Sequence, residues 1–121
     1  SFATLDICRI DLNTGECMVF KAGASTTYIK CADKLLRASL SSAPAGTGGR
    51  LTVPAQRFTV GSGDVIVMTT DGAVLDEEWL ARELSAKSDA QELSEKIARA
   101  ARCAENGRED DISVIAVALG R

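Results

Sequence analysis

Two apolar runs constrain the fold of this chain more than any other feature of its sequence. Val65–Thr70 reads V-I-V-M-T-T and Ile112–Leu119 reads I-S-V-I-A-V-A-L, and neither run alternates apolar with polar residues. Short runs without alternation are typical of strands that are buried on both faces. We therefore expect these two segments to be the central strands of a sheet that lies between other layers.

Two helices are predicted between these apolar runs. Asp76 is a suitable N-cap for the first helix, and Leu75 and Leu80 have the spacing of a hydrophobic staple across that cap. Ser88 and Gln91 have the spacing of a capping box, which would start the second helix. The apolar residues of the second helix recur with a helical period and form one stripe: Ala90, Leu93, Ile97, Ala100, Ala101 and Ala104.

The first half of the chain is rich in strand-forming residues that are separated by turn residues. Asn13–Gly15 contains Asn and Gly, which adopt positive φ easily, so the first two strands are predicted to form a hairpin. The predicted strands of this half are Ala3–Leu12, Glu16–Lys21, Thr26–Cys31, Lys34–Ala38 and Leu51–Val60. Strands followed by two helices and a last strand indicate an α+β fold, with antiparallel pairing at least in the first half.

Charge and composition narrow the classes of function. The net charge is -3 and there is no basic run or aromatic-rich strand, which argues against nucleic-acid binding. No apolar run is long enough to span a bilayer, so we expect no membrane contact by this segment. The sequence has no histidine and its four cysteines form no C-x-x-C pair, which argues against a zinc site. The cysteines are expected to be reduced thiols of a cytoplasmic protein.

Carboxylates stand next to both apolar runs and are the candidates for chemistry. Asp71 and Gly72 follow the first run directly, and Asp110 and Asp111 precede the second. Without histidine, catalysis has to use carboxylates, Lys, Arg or a metal ion, and hard oxygen ligands of this kind suit magnesium or manganese. The alternative is structural, because Asp-Gly is a common turn dipeptide and an acidic turn can simply be solvated.

The direction of the two strands decides whether Asp71 and Asp110 can share a metal. In parallel strands the two residues would lie at opposite edges of the sheet, whereas in antiparallel strands they would meet at one edge. A crossover through helices usually joins parallel strands, so the pattern alone favours the arrangement without a shared site.

Several segments resemble a known family of enzymes. Val65–Val74 and Gly107–Val117 are similar to the last two motifs of the metal-dependent protein phosphatases of the protein phosphatase 2C type. Ala3–Gly15, Lys21–Lys30 and Ser41–Gly46 are similar, in order and spacing, to the bacterial branch typified by stage II sporulation protein E. The likeness extends over nearly the whole chain, and the order of the motifs is more specific than any one of them.

This resemblance implies a fold, a metal site and a reaction. The fold would be an antiparallel β-sandwich flanked by helices, with residues 1–121 as the C-terminal half of the phosphatase domain and the two strands antiparallel. Asp71 and Asp110 match metal ligands, Asp111 takes a supporting role or exchanges with Asp110, and Gly72 lets the chain approach the ion. The implied cofactor is a pair of Mn²⁺ or Mg²⁺ ions, and the implied reaction is direct hydrolysis by an activated water, without a covalent phosphoenzyme.

The resemblance also implies a role in regulation. A serine/threonine phosphatase of this branch would hydrolyse a phosphoserine on a regulatory protein, an anti-sigma factor antagonist in sporulation. The alternative is a catalytically inactive phosphatase-fold module that binds a regulatory partner. We expect a cytoplasmic location, and any membrane anchor of the full-length protein would lie outside this segment.

One part of the family pattern has no counterpart in these residues. The first metal-binding motifs of the family would belong to a half that precedes Ser1, so we expect this segment to hold only part of the ligand shell. The segment alone is therefore expected to bind metal weakly and to have little or no activity. A sheet edge left uncovered by the missing half would favour a homo-oligomer.

Overall fold

The computed structural model describes residues 5–23, 25–39, 55–70, 75–86, 89–104 and 112–120. The elements within these residues are, in chain order, β1 (Leu5–Ile10), β2 (Glu16–Ala22), β3 (Thr27–Cys31), β4 (Lys34–Ala38), β5 (Ala55–Thr59), β6 (Val65–Thr69), α1 (Glu77–Ser85), α2 (Ala90–Ala104) and β7 (Val114–Ala118). The strands form a three-stranded sheet in the order β1-β2-β5 and a four-stranded sheet in the order β4-β3-β6-β7. Every neighbouring pair in both sheets is antiparallel.

The two sheets share one apolar core. Cys17 and Val19 of β2 contribute to it from the three-stranded sheet, and Ile29 of β3 and Ile66 of β6 contribute from the four-stranded sheet. All four side chains are at most 1% exposed. The sheets therefore pack face to face as a sandwich, in agreement with the predicted α+β sandwich.

A second core lies on the other face of the four-stranded sheet, beneath the helices. Val65 and Val67 of β6 belong to it, and they meet buried residues of both helices. The helical contributors are Leu80, Leu84, Leu93 and Ile97. Because Ile66 faces the first core and its neighbours face the second, β6 is buried on both faces, and the prediction for Val65–Thr70 is confirmed.

The sequence predicts a central strand at Ile112–Leu119, whereas among the described residues its strand, β7, lies at an edge of the sheet. In the described part of the four-stranded sheet, β7 is the last strand and pairs only with β6. Ile115 of β7 is 58% exposed, although Val117 packs against the first core and Val114 against the second. An apolar run does not require two covered faces, since an edge strand can keep some of its apolar side chains in water.

The sequence predicted the N-cap of α1 correctly but not the N-cap of α2. Asp76 caps α1 as expected, because its Oδ1 accepts hydrogen bonds from the amides of Glu78 at 2.9 Å and Trp79 at 3.2 Å. The predicted capping box of Ser88 and Gln91 is wrong, since Asp89 caps α2 and its Oδ1 accepts from the Glu92 amide at 2.8 Å. A carboxylate at this position also interacts favourably with the helix dipole.

The stripe predicted for α2 agrees with the burial of its residues. Leu93, Ile97 and Ala101 are at most 3% exposed. Ala90 and Ala100 are half-buried, and the side chain of Ala104 lies outside the described residues. The periodic face of α2 therefore covers the sheet.

The turn between β1 and β2 uses glycine where the sequence predicted Asn and Gly. Gly15 has a φ of +77°, and its carbonyl accepts a 2.8 Å hydrogen bond from the Val60 amide. Asn13 does not have a positive φ, and its amide donates to Oδ1 of Asp11 at 2.9 Å. The turn is thus closed by an Asp side chain as well as by glycine.

The limits of two other predicted strands differ from those observed. The strand predicted for Leu51–Val60 is described only as β5, and residues 51–54 lie outside the described part of the chain. The predicted strand Ala3–Leu12 gives way to a turn after Ile10, and residues 3 and 4 are also outside it.

In the described part of the chain, no helix has the length and apolar character that crossing a membrane would require.

Candidate metal centre

The end of β6 and the start of β7 lie at one edge of the four-stranded sheet. The register pairs Thr69 with Val114. One residue further, the Thr70 amide donates to the Ser113 carbonyl at 3.1 Å, and the Ser113 amide donates to Oγ1 of Thr70 at 3.0 Å. The carboxyl end of one strand is therefore fixed beside the amino end of the other.

The pair of helices explains why these strands are antiparallel although helices connect them. A single helix returns the chain to the opposite edge of a sheet, which gives a parallel neighbour. Here two helices connect the strands, α1 of about 13 Å and α2 of about 22 Å at 1.5 Å per residue, so the second can reverse the direction of the first. The helices also contact each other, because Nζ of Lys96 in α2 lies 3.8 Å from Oε2 of Glu83 in α1. The preference for parallel strands, inferred from the crossover alone, is therefore wrong.

The predicted metal ligands flank these strand ends in the sequence. Asp71 and Gly72 follow β6, and Asp110 and Asp111 precede β7. All four residues lie outside the described part of the chain, so their convergence on a metal ion stays a prediction. The observed antiparallel pairing removes the arrangement in which the strand ends would lie at opposite edges of the sheet.

The donors available at this edge suit a hard divalent cation. Asp71, Asp110 and Asp111 would offer only carboxylate oxygens, which magnesium and manganese prefer. Among the residues that the structure describes, no group of three His, Cys, Asp or Glu side chains is placed to hold a metal ion. The candidate ligands of the chain therefore stay Asp71, Asp110 and Asp111, which flank β6 and β7 in the sequence.

A bend between the two sheets reaches the same strand end. Gly23 has a φ of +67°, a conformation that favours glycine, and lies between β2 of one sheet and β3 of the other. Beyond it, the hydroxyl of Ser25 donates a 2.8 Å hydrogen bond to the carbonyl of Thr69, the last residue of β6. The connection between the sheets is thus attached to the strand that precedes Asp71.

A buried lysine holds this bend in place. Lys21 is 0% exposed, and its Nζ lies 2.9 Å from Oδ2 of Asp6, its partner in the β1–β2 ladder. The same Nζ donates to the carbonyl of Ser25 at 2.5 Å. A buried charge is costly unless it is paired and hydrogen-bonded, and both conditions hold here.

Among the described residues, two buried side-chain oxygens have no hydrogen-bond partner. They are Oδ1 of Asp6 and Oγ1 of Thr27. Unsatisfied buried acceptors carry a desolvation cost. One oxygen of Asp6 thus pairs with Lys21 while the other has no described partner, in contrast to the apolar core around Ile66.

The sequence analysis did not identify Lys21 and Asp6 as a buried pair, although the alternation of inward and outward residues in β1 and β2 indicates it. In β2 the inward positions alternate, and Lys21 follows Cys17 and Val19 on the buried face. In β1, Asp6 has the same phase as Cys8, which packs against the core. A lysine and an aspartate on the apolar faces of two hairpin strands predict a buried ion pair.

The opposite end of β6 is organised by another acidic residue. Asp64 is 8% exposed, and its two carboxylate oxygens accept hydrogen bonds from the amides of Ala32 at 3.0 Å and Gly61 at 2.8 Å. It joins the β3–β4 turn to the β5–β6 turn. Asp64 therefore has a structural role, away from the edge that carries Asp71.

Cys8, Cys17 and Cys31 are free thiols. The sulfurs of Cys8 and Cys17 are 3.5 Å apart, and the hydrogen bond from Cys17 lowers the pKa of Cys8 while it raises that of Cys17. The thiol of Cys31 donates to the Thr59 carbonyl at 3.1 Å, and burial raises its pKa.

Comparison with known proteins connects this geometry to a family. The model of the family described as stage II sporulation protein E (SpoIIE) matches residues 1–120. Stage II sporulation protein E of Bacillus subtilis is 25% identical over 128 residues, which cover 98% of this chain and 16% of that protein. The corresponding protein of Priestia megaterium is 27% identical, and the match covers 22% of its length.

Solved structures agree with the fold. The phosphatase domain of SpoIIE from Bacillus subtilis, presoaked with Mn, superimposes with a TM-score of 0.74 at 26% identity, over 98% of this chain and 57% of that one. The Mycobacterium tuberculosis serine/threonine phosphatase PstP/Ppp superimposes with a TM-score of 0.78 at 15% identity, over 98% and 60%. The described sandwich is thus a protein phosphatase 2C fold, and the chain spans somewhat more than half of these domains.

Proposed function

Because the chain belongs to the stage II sporulation protein E family, we propose that it supplies two metal-ligand segments to a metal-dependent serine/threonine phosphatase. The observation that carries this proposal is the antiparallel pairing of β6 and β7, which brings the strand ends at Thr70 and Ser113 together. In this proposal the protein as encoded hydrolyses a phosphoserine on a regulatory protein.

Asp71 and Asp110 are the proposed ligands of the metal. Asp71 follows the hydrogen-bonded Thr70 without an intervening residue, so the pairing of β6 and β7 limits where its backbone can lie. Asp111 has a supporting role or exchanges with Asp110, and Gly72 allows a close approach of the backbone. When bound, a pair of Mn²⁺ or Mg²⁺ ions supplies Lewis acidity that lowers the pKa of water and offsets phosphoryl charge.

The chain's own contribution to the reaction is to hold these carboxylates in fixed positions. The strands that these carboxylates adjoin in the sequence, β6 and β7, would limit the reorganisation that otherwise accompanies the approach of a charged phosphate. The sequence contains no histidine, so a phosphohistidine intermediate on this chain is excluded. Direct attack of water on phosphorus agrees with that composition.

The proposed substrate is a phosphorylated anti-sigma factor antagonist. Support for this substrate comes from family membership and from the two sporulation relatives. The second candidate is a phosphatase fold without catalysis that binds such a partner. A cytoplasmic location belongs to the same proposal, since free thiols such as Cys17 are kept reduced there.

The test compares Asp71→Asn and Asp110→Asn with the parent in the protein as encoded. Hydrolysis of a phosphoserine peptide is measured against Mn²⁺ concentration. Each change should remove metal-dependent hydrolysis, whereas Asp33→Asn, in an exposed turn between β3 and β4, should leave it unchanged. Activity that persists after either change would remove that residue from the site. A parent that binds the phosphopeptide without cleaving it would favour the binding module.

We also propose self-association through an uncovered sheet edge. The outer edge of β7 has no strand partner in the described residues, and Ile115 on it is 58% exposed. An exposed edge with apolar side chains invites pairing with another strand. Light scattering that gives a monomer mass at all protein concentrations would contradict this proposal.

A further inference from the structure

We propose that Ser25 and Lys21 are positioning residues that fix the end of β6 for metal binding by the neighbouring Asp71. The inference rests on the proposed metal-dependent function and goes beyond it, because it assigns a role to residues outside the ligand set. Neither residue stands next to the predicted ligands in the sequence. Both reach that edge through the bend between the two sheets.

Ser25 continues the contact of β6 with its neighbour where the backbone ladder stops. The ladder of β3 on β6 ends at the pair of Tyr28 and Val67. Two residues later, the Ser25 hydroxyl donates to the Thr69 carbonyl at 2.8 Å. At Thr69, the last residue of β6, the Ser25 side chain therefore supplies a hydrogen bond where the backbone pairing with β3 has ended.

Lys21 holds the serine that makes this contact. Its Nζ donates to the carbonyl of Ser25, so both the backbone and the side chain of the serine are engaged. The ammonium group is itself held by Asp6 and fully enclosed, which leaves it little freedom to move. An apolar side chain of similar length could fill the same space but would not bind the Ser25 carbonyl.

These contacts fix β6 from both sides immediately before Asp71. Thr69 is bonded to the bend on the β3 side, and Thr70 is bonded to Ser113 on the β7 side. Metal affinity depends on partners that orient the ligands, and their loss typically weakens binding about 10–100-fold. A ligand that directly follows such a strand end in the sequence would owe part of its orientation to residues that do not touch the ion.

A matched serine distinguishes positioning from a general loss of stability. The Ser85 hydroxyl in α1 donates to the Ala81 carbonyl, also at 2.8 Å. Ser25→Ala and Ser85→Ala thus each remove one hydrogen bond of the same kind and length. The two hydrogen bonds differ in location, since Ser25 bonds the end of β6 whereas Ser85 lies at the exposed end of α1.

The experiment measures Mn²⁺ binding to the protein as encoded, by the electron paramagnetic resonance signal of free Mn²⁺. We expect the Kd for Mn²⁺ to rise about tenfold in Ser25→Ala and to change less than about twofold in Ser85→Ala. Ser25→Thr keeps the hydroxyl and should retain the parent Kd. The metal-free melting temperature of each alanine variant is measured as well, so that the Kd values are compared well below both unfolding transitions.

Two different results would overturn the inference, and only one of them would also overturn the proposed function. Saturable binding by the parent with an unchanged Kd in Ser25→Ala would refute the positioning role and leave the proposed function standing. A parent without saturable Mn²⁺ binding would refute the proposed function and the positioning role with it. If Ser25→Ala does not fold, Ser25→Cys, which is nearly isosteric and a weaker donor, decides by the same comparison.

Discussion

Thr70 and Ser113 are joined by two hydrogen bonds, one at 3.1 Å between backbone groups and one at 3.0 Å to the Thr70 hydroxyl. Their separation in the sequence is long, and two helices lie between them. This contact places the end of β6 and the start of β7, which the candidate ligands flank in the sequence, at one edge of the sheet. It makes a shared metal site geometrically accessible to a chain whose helical crossover favoured the opposite arrangement.

The segment alone should bind metal poorly. It covers 57% of the solved SpoIIE phosphatase domain, and the family resemblance implies further ligands in the remaining part. We expect the Mn²⁺ affinity of the 121-residue segment to be at least about tenfold lower than that of the same segment joined to an upstream phosphatase half. Titration with Mn²⁺ checks this, and strong manganese-dependent hydrolysis by the segment alone would show the expectation to be wrong.

Breaking the buried ion pair from one side should destabilise the fold strongly. Lys21→Met leaves the Asp6 carboxylate without its partner, which we expect to lower the free energy of unfolding by about 3–5 kcal/mol. Adding Asp6→Val should recover about 2 kcal/mol, since an apolar pair replaces an unpaired charge. Urea denaturation of the single and double variants measures both quantities.

An exposed lysine provides the control for that experiment. Lys34→Met removes the same charge from the exposed first position of β4, where we expect a change within about 0.5 kcal/mol. A double variant as unstable as Lys21→Met would show that the lost contact to the Ser25 carbonyl dominates over the ion pair with Asp6.

Gly15 should tolerate alanine less well than Gly63 does. Both have positive φ, +77° and +87°, so alanine costs about 1–2 kcal/mol at either position. A Cβ at Gly15 would also lie 2.2 Å from the Val60 carbonyl oxygen, whereas none of the described atoms lies within 4 Å of a Cβ at Gly63. We expect Gly15→Ala to cost a further 1–3 kcal/mol or so.

The same denaturation measurement tests that difference. Gly61→Ala serves as the control, since Gly61 has neither a positive φ nor a close described neighbour and should be nearly neutral. Equal losses for Gly15→Ala and Gly63→Ala would mean that the turn moves away from Val60 at little cost.

The reactivity of Cys8 should depend on the thiol of Cys17. The hydrogen bond from Cys17 lowers the pKa of Cys8, so its thiolate forms at lower pH than an ordinary cysteine thiolate. Alkylation by iodoacetamide follows the thiolate, and its midpoint for Cys8 should therefore lie below the ordinary value. Cys17→Val removes the donor and should move that midpoint to higher pH.

Peptide mass spectrometry across a pH series separates the individual cysteines. Cys31 is the internal control, since burial raises its pKa and its midpoint should lie above the ordinary value in both proteins. A Cys8 midpoint that does not change in Cys17→Val would show that the sulfur contact has no effect on ionisation.

Local features of the structure were predictable because neighbouring residues in the sequence decide them. The non-alternating run of β6 indicated two buried faces, and Asp76 indicated the start of α1. The cap of α2 was misplaced by one residue because Ser88 and Asp89 are both suitable caps, and sequence spacing alone does not rank them.

The edge position of β7 could not be predicted in the same way. Its apolar composition resembles that of β6, yet β7 is the last described strand of its sheet and its Ile115 is 58% exposed. Which of two similar strands becomes internal depends on the order of strands in the sheet, and that order is set by contacts between residues far apart in the chain.

The sequence by itself determined the strands, the helices, the acidic residues beside the two apolar runs and the resemblance of their order to a phosphatase family. The pattern of residues favoured parallel strands, and the family resemblance implied the antiparallel pairing of β6 and β7 that the structure confirmed. Only the tertiary structure decided that Lys21 lies inside the sandwich and that Ser25 binds Thr69. The physical reason is the range of the interactions. Patterns of burial and capping act over a few residues, whereas strand direction and buried ion pairs depend on surfaces that meet only after the sheets have packed.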